Sequence, residues 1–176
     1  MQYKIIMNYG TTKDVEGELF KSMVMPGITF GIRQENKKWV VDHIKSGRSL
    51  GIQASSKKEA QGELMKIATD RAKMNLIKTA PSIEDTQKGW EEMKVLKDEF
   101  QSITGIELFI YPTLIIDIKN LDSKIKDRQV GQSISAYIVS KYGERADAIV
   151  KEIINTPIVT GLNIDRGMNH YIGESV

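Results

Sequence analysis

The first third of the chain alternates apolar and polar positions in short runs. Two apolar, partly alternating runs cover residues 3–7 and 19–25, and the second run stops at Pro26-Gly27, a strong turn signal. Three further runs follow, ITFGIRQ, WVVDHI and RSLGIQ, with the connectors ENKK and KSG between them. Short runs of this composition separated by turn residues predict an antiparallel β-meander.

The next segment changes from a strand period to a helix period. Ser56 and Glu59 form an S-x-x-E capping box, and apolar residues then recur every three or four positions. This pattern predicts one helix from about residue 57 to about residue 78. Such a helix would cover one face of the meander, which otherwise leaves its apolar side in water.

The second half is predicted to be more helical. Ser82 and Asp85 begin a second amphipathic helix that stops before Gly105, and the apolar run GIELFIYPTLIIDIKNL then predicts a strand pair. A further helical pattern is capped or broken at Gly143 and continues to Thr156-Pro157. The fold class is therefore α+β, with units at residues 1–80 and 81–176 or with one merged core.

The amino-acid composition limits the kinds of catalytic and metal sites that the chain can form. The 176 residues include no cysteine and two histidines, which excludes disulfides, thiolate nucleophiles, cysteine-based zinc sites and three-histidine metal sites. No cofactor and no metal is predicted. No window approaches the roughly 20 apolar residues of a membrane helix, and the N-terminal segment turns polar early, so we expect a cytoplasmic protein.

One acidic pattern is typical of metal-dependent nucleases. Glu107, Asp117 and Lys119 follow an acidic-then-D-x-K order, in which two carboxylates hold Mg²⁺ and the lysine orients water. In one continuous strand Glu107 and Asp117 would lie roughly 33 Å apart. A two-residue turn at Pro112-Thr113 would put them on opposite faces, and only a three-residue loop that pairs Ile110 with Leu114 would bring them together.

A basic stretch gives the second candidate site. Residues 33–58 contain seven lysine or arginine residues and two acidic ones. The candidate binding residues, expected at the sheet ends and the helix start, are Arg33, Lys38, Lys45, Arg48, Lys57 and Lys58. They would suit an acidic protein or a nucleic-acid backbone, although a solvated sheet edge that is kept basic against aggregation has the same composition.

The order of three strands and a helix beginning SSKKEAQ is similar to the later part of a double-stranded-RNA-binding domain. In that family the lysines of a K-K-x-A-K motif touch phosphates across the groove. Lys57, Lys58 and Ala60 match this motif, whereas Gln61 stands in place of its last lysine. The similarity covers about a quarter of the chain and lacks the first helix of the family, so the chain is not assigned to it.

These patterns rank the possible functions. We expect a small, soluble, non-enzymatic binding or regulatory protein that contacts another macromolecule, such as a phage or mobile-element accessory protein that inhibits or modulates a host or defence macromolecule. The first alternative is a nucleic-acid-binding protein that uses the basic residues. The second alternative is a Mg²⁺-dependent nuclease with Glu107, Asp117 and Lys119.

Overall fold

The computed structural model describes residues 1–110, 116–155 and 171–172 of the chain. Within these residues the fold is α+β, as predicted, and it groups into two compact units, residues 1–87 and 88–176. The strands are β1 Gln2–Ile6, β2 Thr12–Glu16, β3 Glu18–Lys21, β4 Thr29–Glu35, β5 Lys38–His43 and β6 Arg48–Ala54. The helices are α1 Lys57–Ala68, α2 Arg71–Thr79, α3 Ile83–Thr104, α4 Ile118–Lys124, α5 Ile134–Tyr142 and α6 Glu144–Ile154.

The first unit is built around an antiparallel sheet in the order β3-β4-β5-β6. Phe30 pairs with His43, and Ile32 pairs with Val41, so these four side chains share one face of the sheet. Helices α1 and α2 cover this face. The apolar core between helices and sheet consists of Met25, Phe30, Ile32, Val41, Ile52, Ala54, Ala60, Leu64 and Ile77.

The opposite face of the sheet is covered by a hairpin of β1 and β2. The aromatic ring of Tyr3 lies directly over Gly31, where an added Cβ would come within 2.4 Å of the ring. At the end of β1, Ile6 N donates a hydrogen bond to Gly47 O at 2.9 Å. The hairpin is therefore attached both at the middle of the sheet and at the β5–β6 turn.

The single helix predicted for residues 57–78 is wrong, because the structure has two helices there. Helix α1 ends at Ala68, and Asp70 begins α2 by accepting hydrogen bonds from Ala72 N and Lys73 N. A short acidic side chain competes well for the free N–H groups at a helix start. The N-cap hydrogen bond of the predicted capping box is present, since Ser56 Oγ accepts from Glu59 N at 3.1 Å.

Two strand boundaries also differ from the prediction. The strand predicted for residues 19–25 ends at Lys21, and the polar segment Thr12–Glu16 forms β2, which was not predicted. Polar strands lack the apolar alternation that identifies a half-buried strand, so β2 carries no such signal. In the predicted strand pair of the second half, the described residues form one antiparallel bridge, Ile110 to Ile116.

The second unit consists of the larger part of α3 together with α4, α5 and α6. Its apolar core is formed mainly by Met93, Phe100, Leu108, Leu121, Ile138, Ile149, Val150 and Ile153. Gly143 has φ +97° and separates α5 from α6, as predicted. Tyr171 is fully buried, and its hydroxyl donates to Asp147 Oδ1 at 2.6 Å.

In the described part of the chain, the helices are too short or too polar to cross a membrane.

The close contact of Tyr3 with Gly31 predicts opposite effects for two glycine-to-alanine changes. Gly31→Ala forces the Tyr3 ring away from the sheet, and we expect it to lower the free energy of unfolding by about 1–3 kcal/mol. Gly62→Ala lies in α1 with open space around the added methyl group, so it should raise the same quantity by about 0.5–1 kcal/mol. Urea unfolding of both variants measures this free energy. Equal changes in the two variants would contradict the close packing of Tyr3 on Gly31.

Candidate functional site

The three residues of the predicted nuclease site have separate structural roles. Asp117 is the N-cap of α4, and its Oδ1 accepts a hydrogen bond from Asn120 N at 2.9 Å. Lys119 lies in the first turn of that helix. The carboxylate of Glu107 pairs with Lys97 at 3.4 Å. In the described part of the chain, no group of three or more acidic or histidine side chains is arranged to hold a metal ion.

The chain pairing around this pattern also differs from the loop that would favour a nuclease. Ile110 faces Ile116 rather than Leu114, and Asp117 N donates to Phe109 O at 2.8 Å. Asp117 is thus next to Phe109, and the chain turns into α4 directly after it. Tyr111, Pro112 and Thr113, on which the predicted loops depended, lie outside the described residues.

Arg33, the first of the predicted basic residues, belongs to a buried network. Its side chain is 7% exposed, and Asp42 is 1% exposed. Arg33 Nε donates to Asp42 Oδ2 at 2.7 Å, while the Tyr3 hydroxyl donates to the same oxygen at 2.9 Å. Another guanidinium nitrogen of Arg33 pairs with Glu35 at 2.9 Å. Its charge is therefore already compensated within the first unit.

The pKa values of this network follow from its burial and pairing. Burial opposes the charge of Arg33, but hydrogen bonds to Asp42 and Glu35 outweigh burial and raise the pKa of the guanidinium. Burial and the hydrogen bond to Asp42 also hold the pKa of Tyr3 above its usual value. Tyr3 and Arg33 therefore keep their protons at physiological pH, and both remain donors to Asp42.

The other predicted basic residues divide between the two ends of the sheet. One end of the sheet is formed by the connections at residues 7–11, 22–28 and 44–47. It holds an open pocket, and we call it the pocket end. The other end, with the turn at residues 36–37 and with residues 55–58, is called the opposite end. Lys45 and Arg48 lie at the pocket end, whereas Lys38, Lys57 and Lys58 lie at the opposite end. Lys57 forms an ion pair with Glu18. The structure therefore does not bring the six predicted residues together.

An open pocket of about 520 Å³ lies at the pocket end. It is lined by Pro26, Gly27, Ile28, Thr29, His43, Ile44, Lys45, Ile77 and Lys78. None of these lining residues, all within the described part of the chain, is acidic. The pocket thus combines apolar side chains with two lysines, a threonine and a histidine, a composition that favours an anionic group attached to an apolar one.

His43 forms part of the pocket wall and is only 4% exposed. Its Nδ1 lies 2.9 Å from Ser46 Oγ, and that oxygen also accepts a hydrogen bond from Arg48 N at 3.3 Å. Burial and the nearby charge of Lys45 lower the pKa of His43. His43 is consequently neutral at pH 7. Asp42 points to the other face of the sheet and does not orient the imidazole ring, because neighbouring residues of a strand face opposite sides.

Sequence reasoning missed two components of the pocket end. Lys78 was assigned to the end of one long helix, and the break at Asp70 is what allows the short helix α2 to place it at the pocket. Met23 was assigned to a strand interior, but it lies in the β3–β4 connection and is 97% exposed. The acidic residue Asp70 after Thr69 was the available signal for the helix break.

No family model, no curated protein and no solved structure matches this chain.

The buried network predicts a large effect for Asp42. Asp42→Ala leaves Arg33 with Glu35 alone and removes the acceptor of the Tyr3 hydroxyl, so the free energy of unfolding should fall by about 3–5 kcal/mol. The matched control is Asp14→Ala, which breaks the exposed ion pair with Lys4 and should leave the urea midpoint nearly unchanged. Similar losses in both variants would contradict a structural role for the network.

The lowered pKa of His43 predicts a pH dependence of stability. The unfolded chain takes up a proton near pH 6.5, whereas native His43 does so only at lower pH. The stabilising contribution is therefore complete above pH 6.5 and is lost as the pH falls through the native pKa. We expect the urea midpoint to decrease between pH 7 and pH 5.5 in the wild type, and much less in His43→Gln. The same decrease in both proteins would be evidence against this assignment.

Proposed function

We propose that this chain is a non-enzymatic binding protein that recognises an acidic, partly apolar segment of another protein through its pocket end. The observation that carries the proposal is the exposed apolar surface at this end. Met23 is 97% exposed, Met7 45% and Val24 44%. Met23 and Val24 are consecutive residues of the 22–28 connection, and contiguous exposed apolar side chains mark protein interaction sites.

The charges at the pocket end support an acidic partner. Lys21, Lys45, Arg48 and Lys78 lie at the same end of the sheet as the exposed apolar residues, and within the described residues their side chains form no ion pair. Free cations beside apolar groups favour a partner that carries carboxylates, and they increase its rate of association. A chain that acts by such contact would modulate or inhibit its partner rather than transform it.

Nucleic-acid binding is less well supported by the same arrangement. A phosphate backbone is bound by cations that follow it along a continuous track. Here Arg33 is buried, Lys57 is paired with Glu18, and the remaining predicted cations are divided between two ends of the sheet. The exposed methionines at the pocket end also have no use in a phosphate contact, but they suit a protein surface.

Site-specific photo-crosslinking in the native cells tests this proposal. A photoreactive phenylalanine analogue at position 23 should form a discrete adduct with an acidic protein, because Met23 is the most exposed apolar residue of the proposed surface. The same analogue at position 58, on the opposite end of the sheet, is the matched control and should give no such adduct. Equal adducts at both positions, or none at position 23, would contradict the proposal.

Charge-reversal variants then test which end of the sheet binds the partner. Lys45→Glu should weaken binding of the crosslinked partner by about tenfold or more, because it places like charges in contact. Lys58→Glu is the control and should leave the affinity unchanged. If the purified protein instead shifts DNA or RNA in a gel and Lys58→Glu abolishes that shift, the nucleic-acid alternative replaces this proposal.

A further inference from the structure

The pocket beside His43 has the features of a small-molecule site in its own right. Its volume of about 520 Å³ lies within the range of ligand-binding pockets. Pro26, Ile28, Ile44 and Ile77 supply an apolar wall, and Lys45 and Lys78 supply positive charge. Most small-molecule sites combine an apolar lining with a few polar groups in this way.

The Ser46 hydroxyl is the hydrogen-bond partner of His43 Nδ1, at 2.9 Å. Ser46 Oγ also accepts from Arg48 N, and its own hydroxyl hydrogen can be donated to His43 Nδ1. In that tautomer the proton of the neutral imidazole is on Nε2, for which the described residues supply no hydrogen-bond partner. His43 lines the pocket, so this tautomer offers one N–H donor to a bound molecule.

The polar groups around the pocket are mainly donors. They are the Nε2–H of His43, the ammonium groups of Lys45 and Lys78, and the hydroxyl of Thr29, and none of the described residues that line the pocket carries a carboxylate. A charged oxygen acceptor satisfies several such donors at once, and charge-assisted hydrogen bonds are stronger than neutral ones. An uncharged or cationic molecule would leave the lysines without a partner.

We propose that this pocket binds a small oxyanion, a carboxylate or a phosphate monoester, carried on an apolar or aromatic body. The oxyanion contacts His43 Nε2–H, Lys45 and Lys78, and the body packs on Pro26, Ile28 and Ile77. This site does not depend on the macromolecular partner proposed above, because the ligand is bound by the isolated chain.

Titration of the labelled protein with phenyl phosphate and with benzoate tests this proposal by NMR. Either probe should shift the ring resonances of His43 in a saturable manner, and the probe that binds more tightly distinguishes a phosphate source from a carboxylate source. Inorganic phosphate should bind more weakly because it lacks the apolar body, and benzyl alcohol should not bind because it lacks the charge.

Matched lysine variants locate the site. Lys78→Gln and Lys45→Gln should each weaken phenyl phosphate binding by about tenfold, because each removes a charge-assisted hydrogen bond. Lys58→Gln, at the opposite end of the sheet, should have no effect. All three residues lie at the surface, so the amide spectra should confirm that the variants fold. Absence of any saturable shift at His43, or equal weakening in all three variants, would overturn the proposal.

A change at Met23 separates this proposal from the proposed function. Met23→Ser should abolish the protein contact without altering phenyl phosphate binding, since Met23 does not line the pocket. If the probe does not bind but the crosslink at position 23 forms, the pocket proposal fails alone. If the probe binds and no crosslink forms, the proposed protein contact fails alone.

Discussion

The first unit depends on the buried ion pair between Arg33 and Asp42. Two charges removed from water destabilise a fold unless their remaining hydrogen-bonding positions are satisfied, and breaking such a pair leaves an uncompensated charge. Tyr3 and Glu35 supply the missing bonds. The β1–β2 hairpin must therefore dock with Tyr3 at Asp42, and position 31 must lack a side chain so that the Tyr3 ring can pass over the sheet. This network constrains the position of the hairpin more strictly than an apolar contact would.

The same network is linked to the pocket through strand β5, which carries both Asp42 and His43. Asp42 and His43 are neighbours in β5, so their side chains point to opposite faces of the sheet. Asp42 bonds β5 to Arg33 of β4 and to Tyr3 of the hairpin. His43, the next residue of β5, therefore lies on the helix face of the sheet, opposite Phe30. Ser46 in the following turn then sets the orientation of the imidazole ring. One strand thus carries a residue of the stabilising network on one face and the histidine of the proposed ligand site on the other.

Local signals in the sequence predicted local structure well. The Ser56 cap, the glycine break at Gly143 and the turn at Pro26-Gly27 each depend on residues within four positions, and the α+β class follows from them. The partners of the charged residues were not predictable in this way. Arg33 lies nine residues from Asp42, and Lys57 lies 39 residues from Glu18. Those pairings depend on strand register and on helix docking, which no local pattern specifies, so paired and free cations looked alike in the sequence.

This difference between paired and free cations changes the electrostatic description of the surface. The six residues of β5 separate the two ends of the sheet by about 20 Å. Charges on the surface are screened over about 8 Å at physiological ionic strength, so the cations at the two ends do not act as one basic edge. At the opposite end, Glu18 and Glu59 offset part of the positive charge of the lysines. At the pocket end, the lysines share one end of the sheet with exposed methionines and with a pocket whose described lining residues include no acidic one. Charge and apolar surface at this end therefore favour the same anionic partner.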